Sequence, residues 1–193
     1  MDALASLAEA SGRLRTQAAD DALLRRWQTR ATVWAASCDA AGSPVLLDAF
    51  HACLSHCDAA ARLLVLDPGA EAAVAAAASS RGIDAHVECV GDAADARKAA
   101  LLAADALVVC GGSAAFVLDA LAVGTPVTGV GCAAATDAGG DATLLWRAGE
   151  PAAVELIAAT VERLRADARL RARLRARGHA RVSGIAASPE SPA

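Results

Sequence analysis

Ala103–Val130 reads AADALVVCGGSAAFVLDALAVGTPVTGV. A short apolar run, Ala106–Cys110, ends in a glycine turn, Gly111-Gly112-Ser113. The next segment, Ala114–Ala122, has helical composition and one acidic residue, Asp119, and Gly124 stops it. Gly124-Thr125-Pro126 then leads into a second apolar run, Pro126–Val130. The order is strand, loop, helix, strand. The loop falls at the carboxyl end of a strand, where open α/β sheets bind their ligands. The glycine turn also sets backbone N–H groups at a helix amino terminus, an arrangement that accepts a phosphate.

The same alternation extends in both directions. Further apolar runs lie at Ala31–Ala36, Arg62–Asp67, His86–Val90 and Thr143–Trp146. Each is short and lacks strict alternation, as expected of strands covered on both faces. Between them, Val45, Leu46, Ala49, Phe50, Cys53, Leu54 and Cys57 form a helical stripe, Glu71–Ser80 is nearly all alanine, and Ala93–Ala103 carries Leu101 and Leu102. This pattern predicts one α/β domain. It is a Rossmann-like, doubly wound, mostly parallel sheet with helices on both faces and right-handed crossovers. Ala3–Trp27 reads as one or two helices ahead of the first strand. Pro151–Arg181 reads as a long helical region bent near Ala166–Ala168, with Leu164, Leu170 and Leu174 facing inward and a solvated basic second half. The tail after Val182, SGIAASPESPA, has the composition of a disordered segment. The expected plan is therefore a helical segment over 1–30, a Rossmann-like domain over 31–182 and a tail over 183–193.

Composition narrows the function. A chain of 193 residues can bury a real core, and with only 3% aromatics that core must come from Leu, Val and Ala. The net charge of −4 gives no broad attraction to nucleic acid or to an anionic membrane. No apolar stretch approaches the roughly 20 residues of a membrane span. The amino terminus lacks the basic-then-apolar order of a secretory signal. Six cysteines, several inside apolar runs, predict reduced thiols and a cytoplasmic setting.

Two constellations invite a chemical reading. His51, Cys53, His56 and Cys57 have spacings that suit a zinc ion. Yet Cys53 and Cys57 coincide with the apolar stripe while both histidines fall off it, so no metal is expected there. Cys110 ends a strand before a glycine turn, a place that favours a thiolate, but no histidine is near in sequence to activate it. There is no Ser-His-Asp order, no Walker motif and no G-x-G-x-x-G fingerprint. No cofactor is implied.

From about Asp20 to Val182 the chain resembles the C-terminal domain of GT-B glycosyltransferases of the large group-one type, which are retaining enzymes that use nucleotide sugars. Leu118–Val127, LDALAVGTPV, is the nearest match to the family's Leu-Glu-Ala-Met-Ala-x-Gly-x-Pro-Val. Thr32–Phe50 resembles the family's strand, Gly-Arg, Lys-Gly and Leu-x-x-Ala-Phe segment. Ala61–Pro68, Val87–Gly91, Leu101–Val109, Thr136–Trp146 and Pro151–Val182 follow in the family's order. The resemblance implies half of a GT-B fold and a donor-binding mouth built from Gly111, Gly112, Ser113, Asp119 and Gly91, with the Ala36–Gly42 loop opposite.

It also marks departures. The family's diphosphate-gripping arginine and lysine fall, without gaps, on Ala36 and Ala41, and the glutamate that opens its E-x7-E motif falls on Gly111. Only the second glutamate keeps a carboxylate, at Asp119. Each cationic contact to phosphate is worth roughly 1.5–3 kcal/mol, so losing two weakens donor binding by roughly two to four powers of ten. The resemblance thus implies a glycosyltransferase-like, nucleotide-sugar-binding domain, weak or inactive alone, a pseudoenzyme whose acceptor half comes from a partner chain or a homo-oligomer. The alternative is a non-catalytic interaction or regulatory module that keeps the fold.

Overall fold

The structure, a computed structural model, describes residues 22–28, 30–91 and 93–187. Its strands are β1 (Val33–Cys38), β2 (Arg62–Val65), β3 (Val87–Cys89), β4 (Ala106–Cys110), β5 (Val127–Val130) and β6 (Thr143–Trp146). They form one six-stranded sheet in the order β3-β2-β1-β4-β5-β6, and every neighbouring pair is parallel. The chain winds outward from β1 to β3, returns to the other side of β1 and winds out again to β6. Its direction reverses between β1 and β4, and there the loops at the carboxyl ends of the strands diverge and leave a crevice.

The helices are α1 (Ala22–Trp27), α2 (Ser43–His56), α3 (Glu71–Ser80), α4 (Ala94–Ala103), α5 (Ala114–Val123), α6 (Ala133–Gly139), α7 (Ala153–Ala166) and α8 (Ala168–Ala187). Two cores lie on opposite faces of the sheet. On one face Leu46, Phe50 and Cys53 of α2, Val74 of α3 and Ile157, Val161 and Leu164 of α7 pack on Trp34, Ala36, Leu63 and Val108. On the other, Leu24 and Trp27 of α1, Leu101 of α4, Val117 and Leu121 of α5 and Ala135 of α6 pack on Ala35, Leu64, Leu107 and Val127. Successive strand residues point to opposite faces, so a run with no polar alternation serves both cores.

Helix α8 joins the two faces. Leu170 and Leu174 belong to the first core and Val182 to the second. The expected bend before it is real: α7 ends at Ala166, and the Asp167 carboxylate accepts from Leu170 N at 2.9 Å, a cap that restarts the helix. The arginines of α8 do more than solvate it. Arg175 Nε donates to Gly124 O beyond the end of α5, Arg181 donates to Asp137 O and Ala138 O near the end of α6, and Arg171 donates to Leu164 O and Arg165 O at the end of α7. Each puts a cation on carbonyls that the helix leaves unpaired, at the negative end of its dipole.

Several boundaries depart from the sequence reading. The first strand is not Ala31–Ala36 but runs on to Cys38, because Ser37 and Cys38 continue the ladder opposite Val109 and Cys110. The stripe on α2 runs to Leu54, which packs partly buried against the core; Leu47 joins its buried face, and Cys57 is exposed. The last helix passes Val182 and continues to Ala187, into the segment read as disordered. The expected helix ahead of Ala22 and the segment 188–193 lie outside the described residues.

Candidate functional site

The crevice is built from the ends of β1, β2 and β4. Ser37, fully buried, stands at its base: its hydroxyl donates to the Asp67 carboxylate and accepts from Ser113 N at 3.3 Å. Asp67 also accepts from Cys38 N at 2.9 Å. Three loops are thereby tied together at one point. Gly112, with φ +77°, makes this possible, because a β-carbon there would lie 2.2 Å from Ser37 Oγ. Gly111, at φ +79°, is crowded as well: its β-carbon would fall 2.5 Å from the Asp39 carboxyl. The space where a side chain at 111 would begin is filled by the carboxylate of Asp39.

Two cavities open on either side of this junction. One, of about 480 Å³, is lined by Cys38, Asp39, Ala40, Asp67, Pro68, Gly69, Ala70, Gly112 and Ser113. The other, of about 320 Å³, includes Ala41, Gly42, Val45, Gly111, Gly131 and Glu150, and shares Asp39 with the first. Charged side chains in both linings are carboxylates; neither lining has a lysine or arginine. Desolvation raises the Asp67 carboxyl above its usual range, opposed by the hydrogen bonds from Ser37 and Cys38, and Asp39 raises it further. The amino end of α5 is partly occupied by its own chain: Ser37 takes Ser113 N, and Ser113 Oγ takes Ala115 N at 3.2 Å. An anion entering here meets two aspartates and fewer free N–H groups than the glycine turn suggests.

The expected site residues divide. Gly111, Gly112 and Ser113 are together at the crevice. Asp119 is on α5 away from it and lines a separate groove with Asp95, Arg97 and Lys98 of α4. Partial desolvation there raises its carboxyl, and Arg97 opposes the rise. Gly91 follows β3, at φ +77° with open space around it, and β2 and β1 lie between β3 and β4 in the sheet. Ala36 is not at the mouth. It is fully buried within β1, in register with Val65 and Val108, and a side chain there enters the core beneath α2. The ungapped placement of the family's arginine at Ala36 fails for that reason, whereas Ala41 does line the mouth. Sequence reasoning missed Asp39 and Asp67. Their signal was positional: each is the first carboxylate after a strand.

The thiols do not converge on a site. Burial pushes Cys38 and Cys53 up to about 12 and Cys110 up to about 11. His51, His56 and Cys57 are exposed while Cys53 is buried. Among the described residues no group of three or more His, Cys, Asp or Glu side chains is placed to hold a metal ion. No helix among them is long and apolar enough to cross a membrane. Where side chains are described, no Val, Leu, Ile, Phe or Trp is exposed.

A doubly wound parallel sheet with its crevice at the β1–β4 reversal defines a Rossmann-like α/β domain. More narrowly, the fold is that of one half of a GT-B glycosyltransferase. Sucrose-phosphate synthase from Thermosynechococcus elongatus superimposes with a TM-score of 0.62 at 21% identity, over 81% of this chain and 41% of its own. HepE from Anabaena, solved with UDP and glucose, gives 0.63 at 16%, over 90% and 47%. The C-terminal CMP-Kdo binding domain of WaaA from Acinetobacter baumannii gives 0.64 at 13%, over 92% of this chain and 98% of that domain. The chain thus spans less than half the length of the first two and nearly all of the isolated domain. No protein-family model matches the chain, and no curated protein does either.

Proposed function

We propose that the chain is a glycosyltransferase-like nucleotide-sugar-binding domain that holds its donor weakly and does not transfer sugar by itself. The fold, with its crevice at the topological reversal and its glycine turn before α5, supports donor binding. The observation that carries the weakness is the charge of the crevice: Asp39 and Asp67 line it, and no basic side chain does. A diphosphate bound there is repelled when it enters. The charge that builds on a leaving diphosphate finds no cation to stabilise it. Transfer would further need an acceptor-binding half beside this domain.

Titration calorimetry with UDP- and GDP-sugars tests this. The expected result is millimolar binding or none, and micromolar binding would overturn the reading. Ala41→Lys, which places a cation at the mouth, is expected to tighten any binding by about tenfold or more. The same carboxylate lining favours a second reading, a non-catalytic module that keeps the fold. No binding at all, in the original chain and in Ala41→Lys, would select it.

A further inference from the structure

We propose that α8 is a docking surface for an acidic helix of a partner protein. It holds six of the chain's 18 lysines and arginines and no Asp or Glu, in a chain whose net charge is −4. Arg169, Arg173 and Arg177 follow one another at four-residue spacing, and all three are exposed. On a helix that spacing sets them in one row, about 6 Å apart.

The row is not used up within the chain. Arg171, Arg175 and Arg181 turn to helix-end carbonyls. The guanidinium groups of Arg169 and Arg173 hold no hydrogen bond and no ion pair among the described residues. Arg177 meets the Asp141 carboxylate only at 3.8 Å, with half of its own side chain exposed. Like charges four apart on a helix repel, and α8 has no acidic residue to offset them. Carboxylates from outside relieve that repulsion. The buried Leu170, Leu174 and Val182 anchor the helix, so the row is in place before a partner arrives. Ala172, Ala176 and Ala180, exposed beside the arginines, leave room for another backbone to come close.

The surroundings of the row select the partner. Asp137 and Asp141, both exposed, border it where Arg181 and Arg177 reach across. The basic strip is therefore narrow. A flat anionic membrane or a DNA duplex laid on it meets these carboxylates as well, whereas a single helix does not. No Phe or Trp is exposed where side chains are described, and the chain has no Tyr, so the bases of a single strand find nothing to stack on. With no exposed Val, Leu or Ile either, recognition rests on charge. A helix with carboxylates four residues apart matches the row pair for pair, and each guanidinium fork suits a carboxylate. The row shares no residue with the crevice cavities, so it does not depend on donor binding.

The test is fluorescence anisotropy of a labelled alanine-based helical peptide with glutamate at every fourth position, titrated with the full chain at low salt. A peptide of the same composition, its glutamates gathered at one end, is the comparison. Saturable binding of the first is expected, with the second at least about fivefold weaker. The double variant Arg169→Glu/Arg173→Glu is expected to weaken binding by at least about tenfold. Arg25→Glu/Arg62→Glu changes the net charge equally at exposed positions off α8, and should stay within about twofold. Arg169 and Arg173 hold no bond that the fold needs, and circular dichroism checks that the variants fold. No saturable binding, equal binding of the two peptides, or equal loss in the two double variants would each overturn the proposal. So would tighter binding to phosphatidylglycerol vesicles or to duplex DNA than to the regular peptide.

Discussion

Gly42 rests against the carbonyl of Cys110: a β-carbon on Gly42 would lie 1.7 Å from that oxygen and 2.5 Å from its carbon. The loop after β1 is thereby pressed onto the end of β4, and it closes the sheet beneath the crevice. The φ of Gly42 is −82°, so the requirement is space, not a left-handed backbone. Neither partner is a flexible side chain that can swing aside. Gly42→Ala is expected to cost about 3 kcal/mol or more, measured by urea unfolding. Gly69→Ala, where nothing lies within 4 Å of the new carbon, is the control and should stay within about 0.5 kcal/mol.

The sequence made the layers legible because burial on both faces leaves a mark. Continuous apolar runs such as Ala106–Cys110 and Thr143–Trp146 can be parallel strands without knowledge of their neighbours. It misplaced β1 because Ser37 looks like a loop residue; only the partners Asp67 and Ser113, distant in sequence, make a buried serine there acceptable. The glycine turn was legible as the break between β4 and the helix that follows it, and the positive φ of Gly111 and Gly112 requires glycine there. The lining was not. Asp39 and Asp67 come together through the strand order, which no local pattern encodes, and no local pattern sets Asp119 beside Asp95 and Arg97 of α4.

The arginines of α8 are distinguishable by what they touch. Arg175 reaches Gly124 O at 3.1 Å, and Arg181 reaches two carbonyls near the end of α6, whereas Arg173 is exposed. Arg175→Ala and Arg181→Ala are each expected to lower stability by about 1 kcal/mol, a fall in Tm of about 2–4 °C. Arg173→Ala should change it by less than about 0.5 kcal/mol. Equal effects at all three positions would mean that α8 acts through net charge and not through helix ends.

Asp58 sets an acid limit on the fold. Its carboxylate accepts from Thr32 N at 2.7 Å, Thr32 Oγ1 at 2.8 Å and Ala60 N at 3.0 Å, with Arg165 at 3.8 Å. Desolvation raises its pKa, but these hydrogen bonds outweigh it and the net shift is downward. With the folded value below the unfolded one, the contribution is complete above the unfolded pKa and is lost as pH falls through the folded pKa. Asp67 has the opposite sign: its raised carboxyl favours folding most at low pH, and that contribution fades as pH rises through its folded value. Asp58→Asn should therefore cost about 1–3 kcal/mol at neutral pH and flatten the acid limb of the stability curve. Asp67→Asn should steepen that limb. Urea midpoints taken across the acid range check both.

Cysteine reactivity reports on whether the β1–β4 junction opens. Cys38 and Cys110 face each other across the ladder, both buried, with pKa values raised to about 12 and about 11. Cys53, also buried, is raised to about 12, whereas Cys57 is exposed. A rise from 9.0 to about 12 removes about a thousandfold of the thiolate that reacts, before any loss of access is counted. Native protein treated with an alkylating agent at mildly alkaline pH should be modified first at Cys57. The exposed Cys89, whose pKa is raised by desolvation, should follow, with Cys38, Cys53 and Cys110 modified only in denaturant. Mass spectrometry of the digested protein reads each site separately. Cys38 and Cys110 reacting together in native protein, with Cys53 still protected, would show the strands parting at the base of the crevice, and the clamp between Gly42 and Cys110 would then be a moving part and not a fixed floor.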